Sequence, residues 1–129
     1  DARILYVDND PMVAAHAKTL LEGASGTSFI TADFRDPEGL LGHEETRAVI
    51  DFSRPVGLLL VTVTHFVPDD EDPWGLVRRY VSRLAPGSYL ALSAITSERQ
   101  IDRAVDTVRS VYAGSSSPGG FPRSRAEIE

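Results

Sequence analysis

The chain has 129 residues, one domain's worth of material and enough to bury a core. Its 42% hydrophobic and 25% charged content is ordinary for a globular protein, and a net charge of −6 argues against a nucleic-acid or anionic-membrane surface. The lack of cysteine excludes disulfides and thiolate metal sites and suits a cytoplasmic setting, and the longest apolar run, Val56 to Val63, is far too short to span a bilayer.

Strand-like runs alternate with helical patterns, which is the signature of a parallel sheet with crossover helices. The first predicted strand, Arg3 to Val7, ends on Asp8. Asp10 is placed to cap the next helix, with Pro11 at its first position and Val13, Ala17, Leu20 and Leu21 on one face; Gly23 stops it. A second strand, Ser28 to Ala32, ends on Asp33. Asp36-Pro37-Glu38 repeats the cap-then-proline signal for a short helix, and a second helical piece covers Glu44 to Ile50. After Pro55, the unalternating run Val56 to Val63 predicts a strand buried on both faces. The polar loop Thr64 to Asp72 leads to a helix opened by Asp72-Pro73, with Val77, Tyr80, Val81 and Leu84 on one face. Pro86-Gly87 reads as a turn and Ser88 to Ala94 as a fourth strand. Ser97 and Gln100 form a capping box for a helix with Ile101, Ala104, Val105, Val108 and Tyr112 inward. Gly114 to Gly120 reads as a flexible loop, and Ser124 with Glu127 as a further capping box. The organisation expected is therefore a core over residues 1–113 and a loop with a starting helix over 114–129. An opening Asp1 and a lone methionine inside the first helix, Met12, suggest a piece of a longer chain.

Acids at the carboxyl edge of a parallel sheet lie where open α/β folds bind ligands. Asp8 fits two uses: accepting both hydroxyls of a ribose, or joining the Mg2+-binding acids of a phosphoacceptor domain. Because Asp10 supplies the helix cap, Asp8 carries no evident structural duty. Asp33 with Phe34 repeats the arrangement, an acid for an exocyclic amine beside an apolar cover for a ring. Thr64-His65-Phe66 follows the most apolar strand, where a histidine can serve as general base or shape a pocket. His16 and His43 read as structural or surface residues. Asp69-Asp70-Glu71-Asp72 matches no calcium loop, and consecutive acids cannot all converge on one ion; it reads as a solvated loop, so no metal site is expected. Trp74 and Tyr80 read as core or lid contacts.

Together these stretches resemble class I S-adenosylmethionine-dependent methyltransferases, and within them an uncharacterised bacterial family of predicted methyltransferases. The resemblance is carried by Tyr6-Val7-Asp8-Asn9-Asp10-Pro11, Ala32-Asp33-Phe34-Arg35-Asp36-Pro37, Ser53-Arg54-Pro55-Val56, His65-Phe66-Val67-Pro68-Asp69, Leu84 to Leu90 and Arg123 to Ile128. It implies a Rossmann-like α/β fold, a mostly parallel sheet with helices on both faces, of which this chain holds the second to fifth strands. It implies S-adenosylmethionine as cofactor, with Asp8 on the ribose, Asn9 and Met12 near the adenine, and Asp33 and Phe34 on the adenine amine and ring. It places Thr64 and His65 beside the methionine moiety and the transferable methyl, with His65 the catalytic candidate. The acceptor is not legible beyond the chain's acidity, which argues against nucleic acid and leaves a small molecule or a protein; oligomeric state is not legible either. The family's glycine-rich loop belongs about 20 residues before the ribose acid, and Asp8 is too near the start to have it, so function is expected of a parent chain.

A response-regulator receiver domain is the main alternative, since Ile4 to Leu21 imitates its acid-bearing turn. A receiver needs an aspartate at the end of its third strand and a late lysine; Leu58 to Val63 has no acid and the only lysine is Lys18. Phosphoacceptor chemistry is excluded, leaving a receiver-like binding module as the runner-up. A dinucleotide oxidoreductase would use Asp8 likewise but has no second supporting motif.

Overall fold

The computed structural model describes residues 2–98, 107, 110 and 120–128. In chain order the elements are β1 (Ile4–Asp8), α1 (Pro11–Leu20), β2 (Thr27–Thr31), α2 (Pro37–Gly42), α3 (Glu44–Val49), β3 (Gly57–Val61), 3-10 turns at Thr64–Phe66 and Asp69–Glu71, α4 (Pro73–Val81), β4 (Tyr89–Ser93) and α5 (Arg125–Ile128). They form two compact units: Asp1–Gly57 with Leu76–Tyr89, and Leu58–Gly75 with Leu90–Glu129.

In the first unit β1 and β2 pair in parallel, from Ile4 opposite Thr27 to Asp8 opposite Thr31. This register brings both strands to their carboxyl ends together, so Asp8 and the residues just after β2 share one sheet edge. Helix α3 packs on both strands, tied by Ser28 Oγ donating to Glu45 Oε1 at 2.8 Å. Ile30, Pro37, Leu76, Val77 and Tyr80 are buried apolar side chains of this unit.

Strands β3 and β4 form the other pair. Tyr89 N–H donates to the Val56 carbonyl at 3.0 Å and Thr62 N–H to the Ser93 carbonyl at 3.0 Å. Both partners advance in the same direction, so this pair is also parallel. The turn before β4 holds Gly87 at φ +86°, with Pro86 ahead of it and Ser88 N–H bonded to the Ala85 carbonyl, the geometry of a type II turn.

Three Asp-Pro pairs start three helices. Asp10 accepts from Met12 N–H at 2.7 Å, Asp36 from Gly39 N–H at 3.0 Å and Asp72 from Gly75 N–H at 2.9 Å. In the latter two, a Cβ at Gly39 or Gly75 would meet the capping carboxylate, which would have to shift to make room.

Three expectations are corrected. Strand β3 is not covered on both faces: Leu60 is buried, but Leu59 is 66% and Val61 63% exposed. A two-stranded pair folds one face inward, so the run alternates in burial although not in hydropathy. The apolar stripe expected of α1 is not buried either, with Val13 and Leu20 exposed. On α4 the inward positions are Leu76, Val77 and Tyr80, while Val81 is exposed, because the stripe is centred one residue earlier. The capping box at Ser97 and Gln100, its helix and the loop after Gly114 lie almost wholly outside the described residues. Among the described residues no helix is long and apolar enough to cross a membrane.

Candidate functional site

The β1–α1 turn holds Asp8. Its Oδ1 accepts from Asp10 N–H at 2.9 Å, so the residue does have a structural duty: it fixes the turn that carries Asn9 and the α1 cap. No hydrogen bond to its Oδ2 forms among the described residues. The side chain is half-buried, leaving a held carboxylate with one oxygen able to accept from a ligand. Met12, at the start of α1, is 69% exposed.

Asp33 lies just past β2 and is engaged more fully. Arg35 grips it through its backbone N–H at 2.8 Å, Nε at 3.0 and 3.1 Å, and Nη2 at 2.7 Å. The Asn9 side chain lies near enough to favour its charged form as well, so the two turns adjoin. Arg35's hydrogen bonds hold the Asp33 carboxyl below the ordinary carboxylate range, outweighing partial burial, so it is ionised at neutral pH. Phe34 stacks on Tyr80 with ring centres 5.1 Å apart and planes 10° from parallel. Tyr80 Oη donates to the Phe34 carbonyl at 2.9 Å. Burial pushes the Tyr80 hydroxyl far above its usual range, keeping it a proton donor.

In the second unit β3 runs into Thr62, at φ +53°. A left-handed backbone on a β-branched residue costs on the order of 1–3 kcal/mol and is a feature of functional turns. The next 3-10 turn buries Thr64 and His65 completely or nearly so. Thr64 Oγ1 and His65 Nδ1 have no hydrogen-bond partner among the described residues. Burial, and then the positive charge of Arg123, lower the His65 pKa, so its imidazole is neutral at physiological pH.

Arg123 organises this turn. Its Nη1 donates to the Thr64 carbonyl at 3.0 Å, Nη2 to the Val67 carbonyl at 2.7 Å, and Nε and Nη2 to Asp69 Oδ1 at 2.9 and 2.7 Å. The guanidinium lies over the Trp74 ring, 5.6 Å from its centre. Backbone pairing delivers it: Ser97 N–H donates to the Arg123 carbonyl at 3.0 Å, and Phe121 N–H to the His65 carbonyl at 2.7 Å. Within the acidic run Asp69 pairs with Arg123 and Asp72 caps α4, so its ends have separate duties.

The structure thus brings Asp8, Asn9, Asp33 and Phe34 to one edge of the first unit, and Thr64 and His65 to one turn of the second. Reading the sequence missed the grips of Arg35, Tyr80 and Arg123 on these turns. Only Arg35, two residues from its partner, had a local signal. His43 turns out to be structural, its Nδ1 accepting from Glu45 N–H at the start of α3.

Compared with known proteins, residues 1–129 match the model of a family described as S-adenosyl methyltransferase. The chain belongs to this family. Among solved structures it is similar to a candidate methyltransferase of Thermobifida fusca, at 38% identity and a TM-score of 0.84, covering 100% of this chain and 47% of that one. It is also similar to a DUF574 family protein of Streptomyces avermitilis, at 38% identity and a TM-score of 0.85, covering 98% of this chain and 48% of that one. The chain therefore spans about half the length of these relatives and shares their α/β fold with parallel strands. No curated protein matches. Nothing in these matches supports the receiver-like alternative.

Proposed function

We propose that the full-length protein transfers a methyl group from S-adenosylmethionine to a small-molecule or protein acceptor. The observation that carries this reading is Asp8: a carboxylate at the end of β1, pinned by one oxygen and with the other able to accept a ligand hydroxyl. A carboxylate so placed can accept from the hydroxyls of a nucleoside ribose. Asn9 and Met12 flank the same turn and are assigned to the nucleoside. Asp33 is assigned to the adenine amine and Phe34 to the ring; for Asp33 this requires Arg35 to yield one of its bonds.

When bound, the cofactor supplies an electrophilic sulfonium methyl group. The protein's own part is alignment and exclusion of water. Thr64 and His65, assigned to the methionine end and the acceptor, bring two buried polar atoms that have no partner among the described residues. His65, neutral because buried, is the residue able to take a proton from an acceptor. The net charge of −6 weighs against a nucleic-acid acceptor.

The test is calorimetry of S-adenosylhomocysteine on the full-length protein, wild type against Asp8→Asn. Asparagine keeps an oxygen for the Asp10 N–H but loses the charge, so the turn survives while the ribose contact weakens. The expected loss is about 1.5–3 kcal/mol. Equal affinity of the two proteins rejects the ribose assignment.

A further inference from the structure

Tyr80 reads in the sequence as a core or lid contact, and at 2% exposure it lies in the core. Its two grips are more specific than packing requires. Both fall on Phe34: the hydroxyl on its carbonyl at 2.9 Å and the ring on its ring at 5.1 Å between centres. A stacked ring fixes a plane, and a bonded carbonyl fixes the peptide that carries it. Phe34 is only half-buried, so one side of it is committed to Tyr80 while part remains accessible. The adjoining Asp33 carboxylate is aimed by Arg35, but those bonds do not set the height or tilt of the Phe34 ring.

We infer that Tyr80 is the positioning residue of the base subsite. From α4 it sets the plane of the Phe34 ring and the pose of the Asp33–Phe34 turn, and so sets selectivity for a 6-amino purine. This rests on the assignment of Asp33 and Phe34 to the adenine. Tyr80 does not touch the ligand; it acts through Phe34.

The experiment measures, on the full-length protein, the affinities of S-adenosylhomocysteine and of its 6-oxo analogue S-inosylhomocysteine. The proteins are wild type, Tyr80→Phe and Phe34→Leu. Wild type should prefer the amine by about tenfold or more, the worth of one hydrogen bond to a charged group. Tyr80→Phe keeps the stack but frees the carbonyl, and its preference should fall by about three- to tenfold. Phe34→Leu removes the ring itself and should lose the preference to a similar extent. It is the second reading should Tyr80→Phe fail to fold. A residue that only stabilised the fold would weaken both ligands equally and leave the ratio alone. Wild type with no preference overturns the adenine assignment and this inference with it. A clear preference retained in Tyr80→Phe, or in Phe34→Leu if that is the variant that folds, overturns the positioning role alone.

Discussion

Replacing Arg123 by methionine is expected to open the Thr64–Asp69 turn, and the contacts say by how much. The guanidinium serves two backbone carbonyls, of Thr64 and Val67, and one carboxylate oxygen of Asp69. Thr64 and Val67 are buried, at 0% and 3% exposure, so their carbonyls would lose a charged donor and stay in the interior. The Asp69 side chain is 82% exposed and simply regains water. Bonds to a charged donor are worth about 1.5–3 kcal/mol each but do not add, so Arg123→Met should cost about 3–5 kcal/mol. Asp69→Asn, which removes only the solvent-facing partner, should cost about 1 kcal/mol or less. Lysine at 123 keeps the charge but cannot fork, and should fall between. Urea denaturation of the full-length protein, with hydrogen exchange read over the peptides spanning Thr64 to Asp72, gives the three values. If Asp69→Asn costs as much as Arg123→Met, the ion pair and not the carbonyl capture holds the turn, and the reasoning fails.

Two further outcomes concern stability. Glycine to alanine inside a helix ordinarily stabilises, but at Gly75 the new Cβ would displace the Asp72 carboxylate from its cap; the net effect should be a loss of about 0.5–2 kcal/mol, read by chemical denaturation, and a gain would show that the cap is dispensable. For His65 the folded pKa is depressed, so between that value and the unfolded value near 6.5 the unfolded chain binds the extra proton. Stability from this group is therefore complete above pH 6.5 and lost as pH falls through the folded value. A His65→Asn protein should show a flatter stability profile over that window; an unchanged slope contradicts the buried neutral imidazole.

Features fixed by neighbours in sequence were legible. Asp10, Asp36 and Asp72 cap where an Asp-Pro pair announces a helix, because the capping oxygen and its N–H lie within three residues. The carboxyl-edge acids Asp8 and Asp33 were legible for the same reason, each ending an apolar run. What the sequence could not convey is distance along the chain. Arg123 bonds residues 54 to 59 positions away, and Tyr80 one 46 positions away. Hydropathy alone also misread β3, since Leu59 and Val61 have core composition but face outward in this two-stranded pair. Asp8 was misjudged differently: assigning the cap to Asp10 hid the bond by which Asp8 fixes the same turn.

The ribose assignment turns on the separation between the second oxygen of Asp8 and a ribose hydroxyl. A crystal structure of the full-length protein with S-adenosylhomocysteine measures it directly. A carboxylate-to-hydroxyl separation of about 2.5–3.0 Å is expected, with Oδ1 still on the Asp10 N–H. A bound nucleoside whose ribose is held by other groups, with Asp8 directed elsewhere, would contradict it.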